Sequence, residues 1–316
     1  MTIIGIDVGA RRCHVATDDT VTALTTDQTL ELLTTTPPTT VVLELTGAYG
    51  RRIAEHAYQA GHTVLIAHHT DERAVRHLLR SSRKTDRLDA RYLRRLAELA
   101  AHLPGPNPHL TPYTELRPIL ITRKLAHTWR YLIQLRAAIR TRNRVPDAEP
   151  IPLEEHLSAL ITEYERRTIA AVPPDILTLL TSIPGVTPPL AALLYATLGD
   201  ITRFRNRDAV VSYAGVAPRH TPTSGATAGR PRRHRHAALL TTHLHMYALR
   251  VAAQPHHFDR IGETYRRVRA RADGKRALHA AKRHLIRIVA GVLTTGQPYR
   301  YQSHQPTSRA AGDQPG

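Results

Sequence analysis

The chain opens with Thr2-Ile3-Ile4-Gly5-Ile6-Asp7-Val8-Gly9, the stretch that decides the fold. Its apolar, β-branched character predicts a buried β-strand that ends near a carboxylate, Asp7. A second apolar run, Val41-Val42-Leu43, ends on Glu44 in the same way. A carboxylate at the end of a buried strand is costly unless something positive compensates it. Both strand ends therefore indicate a cation site.

Two further acids lie three residues apart in Lys84-Thr85-Asp86-Arg87-Leu88-Asp89-Ala90, a stretch that reads as helix. Side chains at this spacing share one helix face. With Asp7 and Glu44 they make an all-carboxylate set that suits two Mg²⁺ ions, with Mn²⁺ as a substitute. A metal pair stabilises the attacking and leaving oxygens of a phosphodiester, so phosphoryl transfer on nucleic acid is the first hypothesis.

Each acid has an ordinary alternative when it is taken singly. Asp7 fits a sugar-kinase-like phosphate loop or a strand-to-turn position, and Glu44 fits a helix cap or a surface acid. Asp86 and Asp89 fit ion pairs with their basic neighbours. The joint occurrence of all four acids, in this order, favours the metal site.

The first hundred residues alternate strand and helix signals. Strands are predicted at 3–8, 14–17, 21–25, 41–43 and 63–67, and helices at 49–60, 71–79 and 85–100, with a short helix after the third strand. This order is that of an α/β ribonuclease-H-like (RuvC-like) sheet, in which the first and fourth strands are neighbours. We therefore expect Asp7 and Glu44 to lie together, with the helix at 85–100 bringing Asp86 and Asp89 to them.

A Pro-Gly-Pro break follows at residues 104–106, and beyond it residues 116–145 carry an apolar stripe opposite a basic face. The pattern suits a helical hairpin arm or a coiled coil, with a core-packing helix as the alternative. Because little of the nearby chain is available to cover the stripe, we predict self-association. The predicted division is a catalytic α/β domain at 1–103, a helical coiled-coil assembly region at 104–171, a mostly α C-terminal domain at 172–302 and a disordered tail at 303–316.

The C-terminal domain contains three features that favour nucleic-acid contact. The turn Ile183-Pro184-Gly185-Val186 predicts a helix-hairpin-helix whose backbone N–H groups face a phosphate at Gly185. A small-residue loop carries Ser224 and runs into Arg230, Arg232, Arg233 and Arg235, an arrangement that can bring a hydroxyl against a bound phosphate for attack on phosphorus. A simple turn is the ordinary alternative for its Ser-Gly pair, and Thr221, Thr223 or Thr227 would serve as well. A basic helix pair spans residues 260–287.

The amino-acid composition limits the kinds of partner and binding site that the chain can have. A net charge of +18 favours a polyanion, although histones and ribosomal proteins share this property. The single cysteine, Cys13, excludes an intramolecular disulfide and a multi-cysteine zinc site. No apolar run approaches the roughly 20 residues that span a bilayer, and the chain starts in a strand rather than a leader. We expect a cytoplasmic, nucleoid-associated protein without membrane contact.

These residues resemble the DEDD-type insertion-sequence transposases, now described as bridge-RNA-guided serine recombinases. The matching stretches run through almost the whole chain: Gly5–Gly9, Leu43–Gly47, Lys84–Ala90, Ile183–Val186, Gly199–Phe204, Tyr213–Arg219 and Ser224-Gly225. The resemblance implies a RuvC-like domain and a C-terminal serine transposase domain. It also implies double-stranded donor and target DNA, a noncoding guide RNA, and a homodimer or dimer of dimers.

The site residues implied by this resemblance are specific. Asp7, Glu44, Asp86 and Asp89 would bind the metals, and Ser224 would join covalently to a DNA phosphate. Lys84, Arg87, Gly185, Arg219 and the arginines after the serine loop would contact nucleic acid. The chain departs from the family at Arg233-His234-Arg235-His236, which has neither the usual glycine nor a following Leu-Arg pair. The identity of the phosphate-clamping arginine therefore stays open.

Three other functions fit parts of the sequence. A junction-resolving endonuclease would use the same acids with water as the nucleophile. A tyrosine recombinase would use His257-Phe258-Asp259-Arg260 with Tyr299 or Tyr301, but would leave the four acids idle. A non-enzymatic nucleic-acid-binding protein would not need them either. A covalent protein–DNA adduct, and the residue that carries it, separates these alternatives.

Overall fold

The computed structural model describes residues 2–18, 20–45, 47–67, 85–102, 110–146, 149–217 and 237–301. The chain divides into two compact units, Met1–Arg117 and Pro118–Gly316, and each is described by itself. Several predicted features lie outside the described residues: the helix at 71–79, Lys84, the loop of Ser224 with Arg219, Arg230, Arg232, Arg233 and Arg235, and the tail at 303–316.

The first unit is built on a six-stranded mixed sheet in the order β3-β2-β1-β4-β5-β6. Its strands are β1 (Ile3–Val8), β2 (Cys13–Thr17), β3 (Thr20–Leu24), β4 (Thr40–Leu43), β5 (Thr63–Ala67) and β6 (Leu110–Pro112). Its described helices are α1 (Thr26–Thr35), α2 (Gly47–Gln59) and α3 (Asp86–Ala101). The predicted strands are confirmed to within one residue at each end, and the sheet is consistent with the ribonuclease-H-like prediction.

Strands β1 and β4 are parallel neighbours at the centre of this sheet, as predicted. Ile6 pairs with Leu43, so the chain positions that follow, Asp7 and Glu44, stand at the same end of adjacent strands. Ile4, Ile6 and Leu43 are essentially inaccessible to solvent, which explains why both runs are apolar. Burial of the strands fixes the two carboxylates at one edge of the core.

The sixth strand extends the sheet beyond the predicted domain boundary at residue 103. β6 pairs antiparallel with β5 through Leu110 and Thr111, and it ends on Pro112. Proline is tolerated here because β6 is an edge strand, where one ladder N–H is not needed. The Arg117 side chain then forms a bidentate pair with Glu55 of α2, at 2.8–3.2 Å. The proline-rich stretch was thus a poor guide to where the first unit ends.

Helix α3 approaches β1 at a glycine. A Cβ placed on Gly5 would lie 2.3 Å from the carbonyl oxygen of Ala90 and 2.7 Å from the amide nitrogen of Arg94. Both contacts are with backbone, so the helix rests directly on the strand. Arg94 donates to the Asp18 carbonyl, and Arg87 donates to the Val21 carbonyl at 3.1 Å. The helix is therefore fixed to both β1 and the β2–β3 hairpin.

The described part of the second unit is helical. Its elements are the greater part of α4 (Tyr113–Arg142), then α5 (Glu154–Ala170), α6 (Pro174–Thr181), α7 (Pro188–Leu198), α8 (Arg207–Tyr213), α9 (Ala237–Ala253), a 3₁₀ turn (Pro255–Phe258), α10 (Asp259–Arg269) and α11 (Gly274–Thr295). The predicted helix-hairpin-helix corresponds to α6 and α7. Its Gly185 is exposed with φ +74°, a conformation that favours glycine.

The apolar stripe of α4 is covered by its own chain. Ala126, Trp129 and Ile139 are at most 7% exposed. Arg123 donates to the Ala196 carbonyl at 2.8 Å, and the Trp129 ring lies 5.5 Å from the His243 ring. The prediction that a second copy covers the stripe is therefore wrong, because residues of the same chain that are distant in sequence cover it. The alternative of a core-packing helix fits α4 better.

Replacing Gly5 with Ala is expected to destabilise the first unit. The new methyl group would press on helix backbone that cannot rotate away, a form of overpacking that typically costs about 1–3 kcal/mol. Urea unfolding followed by circular dichroism measures this loss. Gly274→Ala is the matched control, because its nearest neighbour is the Arg269 side chain at 3.8 Å. Equal stabilities for the two variants would contradict the close α3–β1 contact.

Candidate metal centre

Three side chains of the first unit converge on one point. Asp7, His14 and Asp86 each offer a ligand atom, and these three atoms all lie within 4.8 Å of one another. The residues come from β1, β2 and α3 respectively. Asp7 and His14 are partly buried, while Asp86 is exposed. The group is thus open on one side, as a centre that acts on a large substrate requires.

The hairpin of β1 and β2 places His14 next to Asp7. The two strands are antiparallel, and Asp7 is directly opposite His14 in the register. Side chains of opposed residues project from the same face of a sheet. The Nδ1 atom of His14 lies 4.0 Å from Oδ2 of Asp86, and the His14 side chain is 18% exposed. The imidazole therefore faces both carboxylates from a partly sheltered position.

The first turn of α3 holds two of the four predicted acids, Asp86 and Asp89. Thr85 is the N-cap, and its hydroxyl accepts a hydrogen bond from the Leu88 amide at 3.3 Å. Asp86 and Asp89 both lie in the first turn, where the helix dipole favours negative charge by about 0.3–1 kcal/mol. Asp89 is only 6% exposed, whereas the Asp86 side chain is 72% exposed. The two predicted ligands are on one turn but in different environments.

The structure brings together half of the predicted acidic set. Asp7 and Asp86 belong to the compact group, as predicted, although β1 and α3 are far apart in the chain. Glu44 and Asp89 are not members of that group in the described part of the chain, although they sit on the neighbouring β4 end and in the first turn of α3. Their role as metal ligands stays a prediction.

His14 was missed in the sequence, although a signal for it exists. Gly9-Ala10-Arg11-Arg12 is a short turn between two strands, closed by a hydrogen bond from the Gly9 amide to the Arg12 carbonyl at 3.1 Å. Counting outward from that turn pairs Val8 with Cys13, and then Asp7 with His14. Cys13 itself is fully buried and is therefore a core residue. The burial also raises the pKa of its thiol.

The described residues among the predicted nucleic-acid contacts have internal neighbours. Arg87 donates to the β3 backbone, as described above, so part of its hydrogen-bonding capacity serves the fold. The carbonyl of Gly185 accepts from Arg250 at 3.1 Å, and a Cβ on Gly185 would lie 2.2 Å from the Phe258 ring. Contacts of Arg87 and Gly185 with nucleic acid stay predictions.

The chemistry of these side chains fits a divalent cation. Carboxylate oxygens are the ligands of Mg²⁺ and Mn²⁺, and a neutral imidazole suits transition metals better than Mg²⁺. The Asp7, His14 and Asp86 group offers both kinds of donor within a few ångströms. A divalent metal ion is therefore the ligand that this donor set matches.

Comparison with known families agrees with this geometry. Residues 4–141 match the DEDD transposase model of IS110, described as Transposase, and residues 177–266 match the Transposase IS116/IS110/IS902 family. The chain carries the two domains of the IS110-family transposases. It is therefore an insertion-sequence transposase of the DEDD type, an enzyme that acts on DNA. No curated protein matches it significantly.

The two IS110-family matches divide the candidate residues between them. The first contains the four acids and His14, and the second contains Gly185 and Ser224. An IS110-type DEDD domain typically uses a divalent metal, which agrees with the donor set at Asp7 and Asp86. None of the helices that the structure describes has the length and apolar character needed to cross a bilayer.

Replacing His14 with Ala is expected to lower Mn²⁺ affinity by about tenfold, the loss typical when a residue that orients a metal ligand is removed. Mg²⁺ affinity should fall less, because Mg²⁺ prefers oxygen donors. Calorimetric titration of both ions measures the two affinities. His102→Ala is the control, because His102 is an exposed histidine at the end of α3. An unchanged ratio of Mn²⁺ to Mg²⁺ affinity would show that His14 takes no part.

Proposed function

We propose that this transposase cuts and rejoins DNA through Ser224, with divalent ions held by Asp7, Glu44, Asp86 and Asp89, and that a noncoding RNA guides it. The observation that carries the proposal is the convergence of Asp7 and Asp86 on one point from β1 and α3. Both are carboxylates of the predicted set, and both lie within the residues that match the DEDD transposase of IS110.

The acids of the first unit would act by holding divalent ions in fixed positions. Mg²⁺, or Mn²⁺ in its place, supplies stabilisation of the attacking and leaving oxygens of the phosphodiester when it is bound. Strands β1 and β4 are buried, so Asp7 and Glu44 keep their positions without reorganisation during the reaction. The exposed Asp86 side chain is on the side from which DNA can approach, while Asp89 is sheltered from solvent.

The proposed covalent step belongs to Ser224. Its hydroxyl loses a proton, its oxygen forms a bond to phosphorus, and the bond from phosphorus to the 3′ oxygen of the DNA breaks. The 3′ oxygen takes up a proton and leaves as a free hydroxyl. The reverse reaction with a different 3′ hydroxyl rejoins the strands and releases the serine. Because the phosphodiester energy is kept in the serine ester, no nucleotide cofactor is needed.

The partners follow from the chemistry and from the family resemblance. Double-stranded donor and target DNA are the substrates, and the net charge of +18 supports binding to their backbones. A guide RNA that pairs with both DNAs would supply the sequence specificity. A homodimer or dimer of dimers brings two DNA strands into one complex. Self-association now rests on the resemblance, because the apolar stripe of α4 is buried within one chain.

Ser224→Ala is expected to abolish a covalent protein–DNA adduct while leaving DNA binding intact. The measurement is denaturing electrophoresis of the protein with end-labelled DNA and Mg²⁺. Thr223→Ala is the matched control, since it removes a neighbouring hydroxyl and should retain the adduct. Asp7→Asn should lower adduct formation by about 10²–10³-fold, as expected when a group that stabilises transition-state charge is lost.

The outcome that would overturn the serine step is cleavage that depends on Asp7 and leaves no adduct. Such a result would indicate a junction-resolving endonuclease that uses water. An adduct that maps to Tyr299 or Tyr301 would instead indicate a tyrosine recombinase.

RNA guidance predicts that target choice can be changed without changing the protein. Strand exchange is assayed with RNA transcribed from the DNA that flanks the gene, and then with the same RNA altered in its target-pairing segment. Insertion should move to the DNA that matches the altered RNA, because base pairing rather than side chains would read the sequence. Insertion at one fixed site, with or without RNA, would contradict the proposal.

A further inference from the structure

The second unit contains a basic pocket of about 610 Å³. Helices α8, α10 and α11 and the segment that follows α11 form its walls. Six of its lining residues are arginines: Arg207, Arg260, Arg267, Arg283, Arg287 and Arg300. Aspartate and glutamate are absent from the lining that the described residues provide. Such a concentration of one charge in a concave surface focuses the electrostatic field toward an anion.

The arginines of this pocket are mostly not neutralised by the protein. Within the described ranges, only Arg287 forms a salt bridge, with Asp208 at 2.8 Å, and the Arg287 and Asp208 side chains are both more than half exposed. A pair this exposed contributes at most about 1 kcal/mol to stability. The other five arginines therefore present positive charge in a concave surface, which an anion from outside would match.

The pKa values of two lining residues, Arg283 and His284, are lowered by burial and by the neighbouring arginines. Burial lowers the pKa of Arg283, and the adjacent Arg287 lowers it further. Burial also lowers the pKa of His284, as do the nearby Arg287, Arg267 and Arg260. Positive charge at this place is therefore unfavourable in the absence of an anion. A bound polyanion would remove that cost.

The pocket walls are held in position by specific contacts. The amide of Tyr299 donates to the Ser182 hydroxyl at 2.8 Å, and the Tyr301 hydroxyl donates to Glu263 at 2.5 Å, so the residues on both sides of Arg300 are anchored. A Cβ on Gly291 would lie 3.5 Å from the Arg207 guanidinium, at ordinary van der Waals distance, so the Arg207 side chain packs against α11. The arginines thus have a preformed arrangement.

We infer that this pocket binds the phosphodiester backbone of a nucleic acid, with its guanidinium groups contacting successive phosphates. Guanidinium groups bind phosphate oxygens through paired hydrogen bonds. Among the described lining residues, Tyr299 is the one Phe, Tyr or Trp side chain, so the pocket does not offer an extended stacking platform for bases. Recognition should therefore be independent of sequence. This inference rests on the proposed function, because it takes the ligand to be a nucleic acid of the transposition reaction.

The test compares two triple variants of the full chain that lose the same charge. The pocket variant is Arg260→Gln, Arg267→Gln and Arg300→Gln, and the control is Arg266→Gln, Arg269→Gln and Arg271→Gln. All six arginines are exposed, and only the first three line the pocket. Binding to a non-specific DNA duplex and to single-stranded RNA is measured at several KCl concentrations, with EDTA present so that metal-dependent chemistry does not contribute.

The pocket variant should reduce the slope of log affinity against log salt concentration by about 2–3 for duplex DNA and about 2 for single-stranded RNA. The control should change the slope by less than about 1. A reduction with both nucleic acids supports a general backbone site, and a reduction with one of them assigns the pocket to that ligand. Equal slopes for the two triple variants on both ligands would overturn the inference.

Two further measurements distinguish failure of the pocket proposal from misfolding of the variant and from failure of the proposed function. If the pocket variant does not fold, as judged by circular dichroism, the single variants Arg207→Gln and Arg300→Gln are used, each with an expected slope change of about 0.9 on duplex DNA. An unmodified chain that binds neither ligand would overturn the proposed function together with the pocket, whereas normal binding by the pocket variant would overturn the pocket alone.

Discussion

The direct contact of α3 with β1 at Gly5 is the constraint on which the first unit depends. Without a side chain at this position, the helix backbone lies against the strand backbone, at the Ala90 carbonyl and the Arg94 amide. The same contact fixes the distance between Asp7 and Asp86, which belong to these two elements. A missing methyl group thus controls both the packing of the core and the spacing of two metal-binding candidates.

The two units concentrate opposite charges, and each concentration matches a ligand of the opposite charge. In the first unit, carboxylates gather at one end of the central strands and match a divalent cation. In the second, arginines gather in a pocket and match phosphate oxygens. Both clusters are therefore regarded as candidate binding sites, the first for a metal ion and the second for nucleic acid.

Local sequence patterns were sufficient to predict the central strands and the proximity of Asp7 and Asp86. Buried parallel strands and amphipathic helices can be predicted in this way because they have strong periodic signals. Local patterns were not sufficient for His14, whose place depends on the register of a hairpin. They also failed at the α4 stripe, since its cover comes from Ala196 and His243, far along the chain. Edge strand β6 was missed because Pro112 resembles a break rather than a strand end.

The basic helix pair shows most clearly what only packing can decide. Arg266 and Arg267 are adjacent, equally charged and both exposed, yet only Arg267 lines the pocket. No composition or spacing rule separates them, because the difference comes from where α11 and the segment after it cross α10. Charge along the sequence therefore predicts that a polyanion binds, whereas the fold determines which arginines share one phosphate backbone. Nucleic-acid affinity in this chain should consequently depend on the arrangement of its arginines as well as on their number.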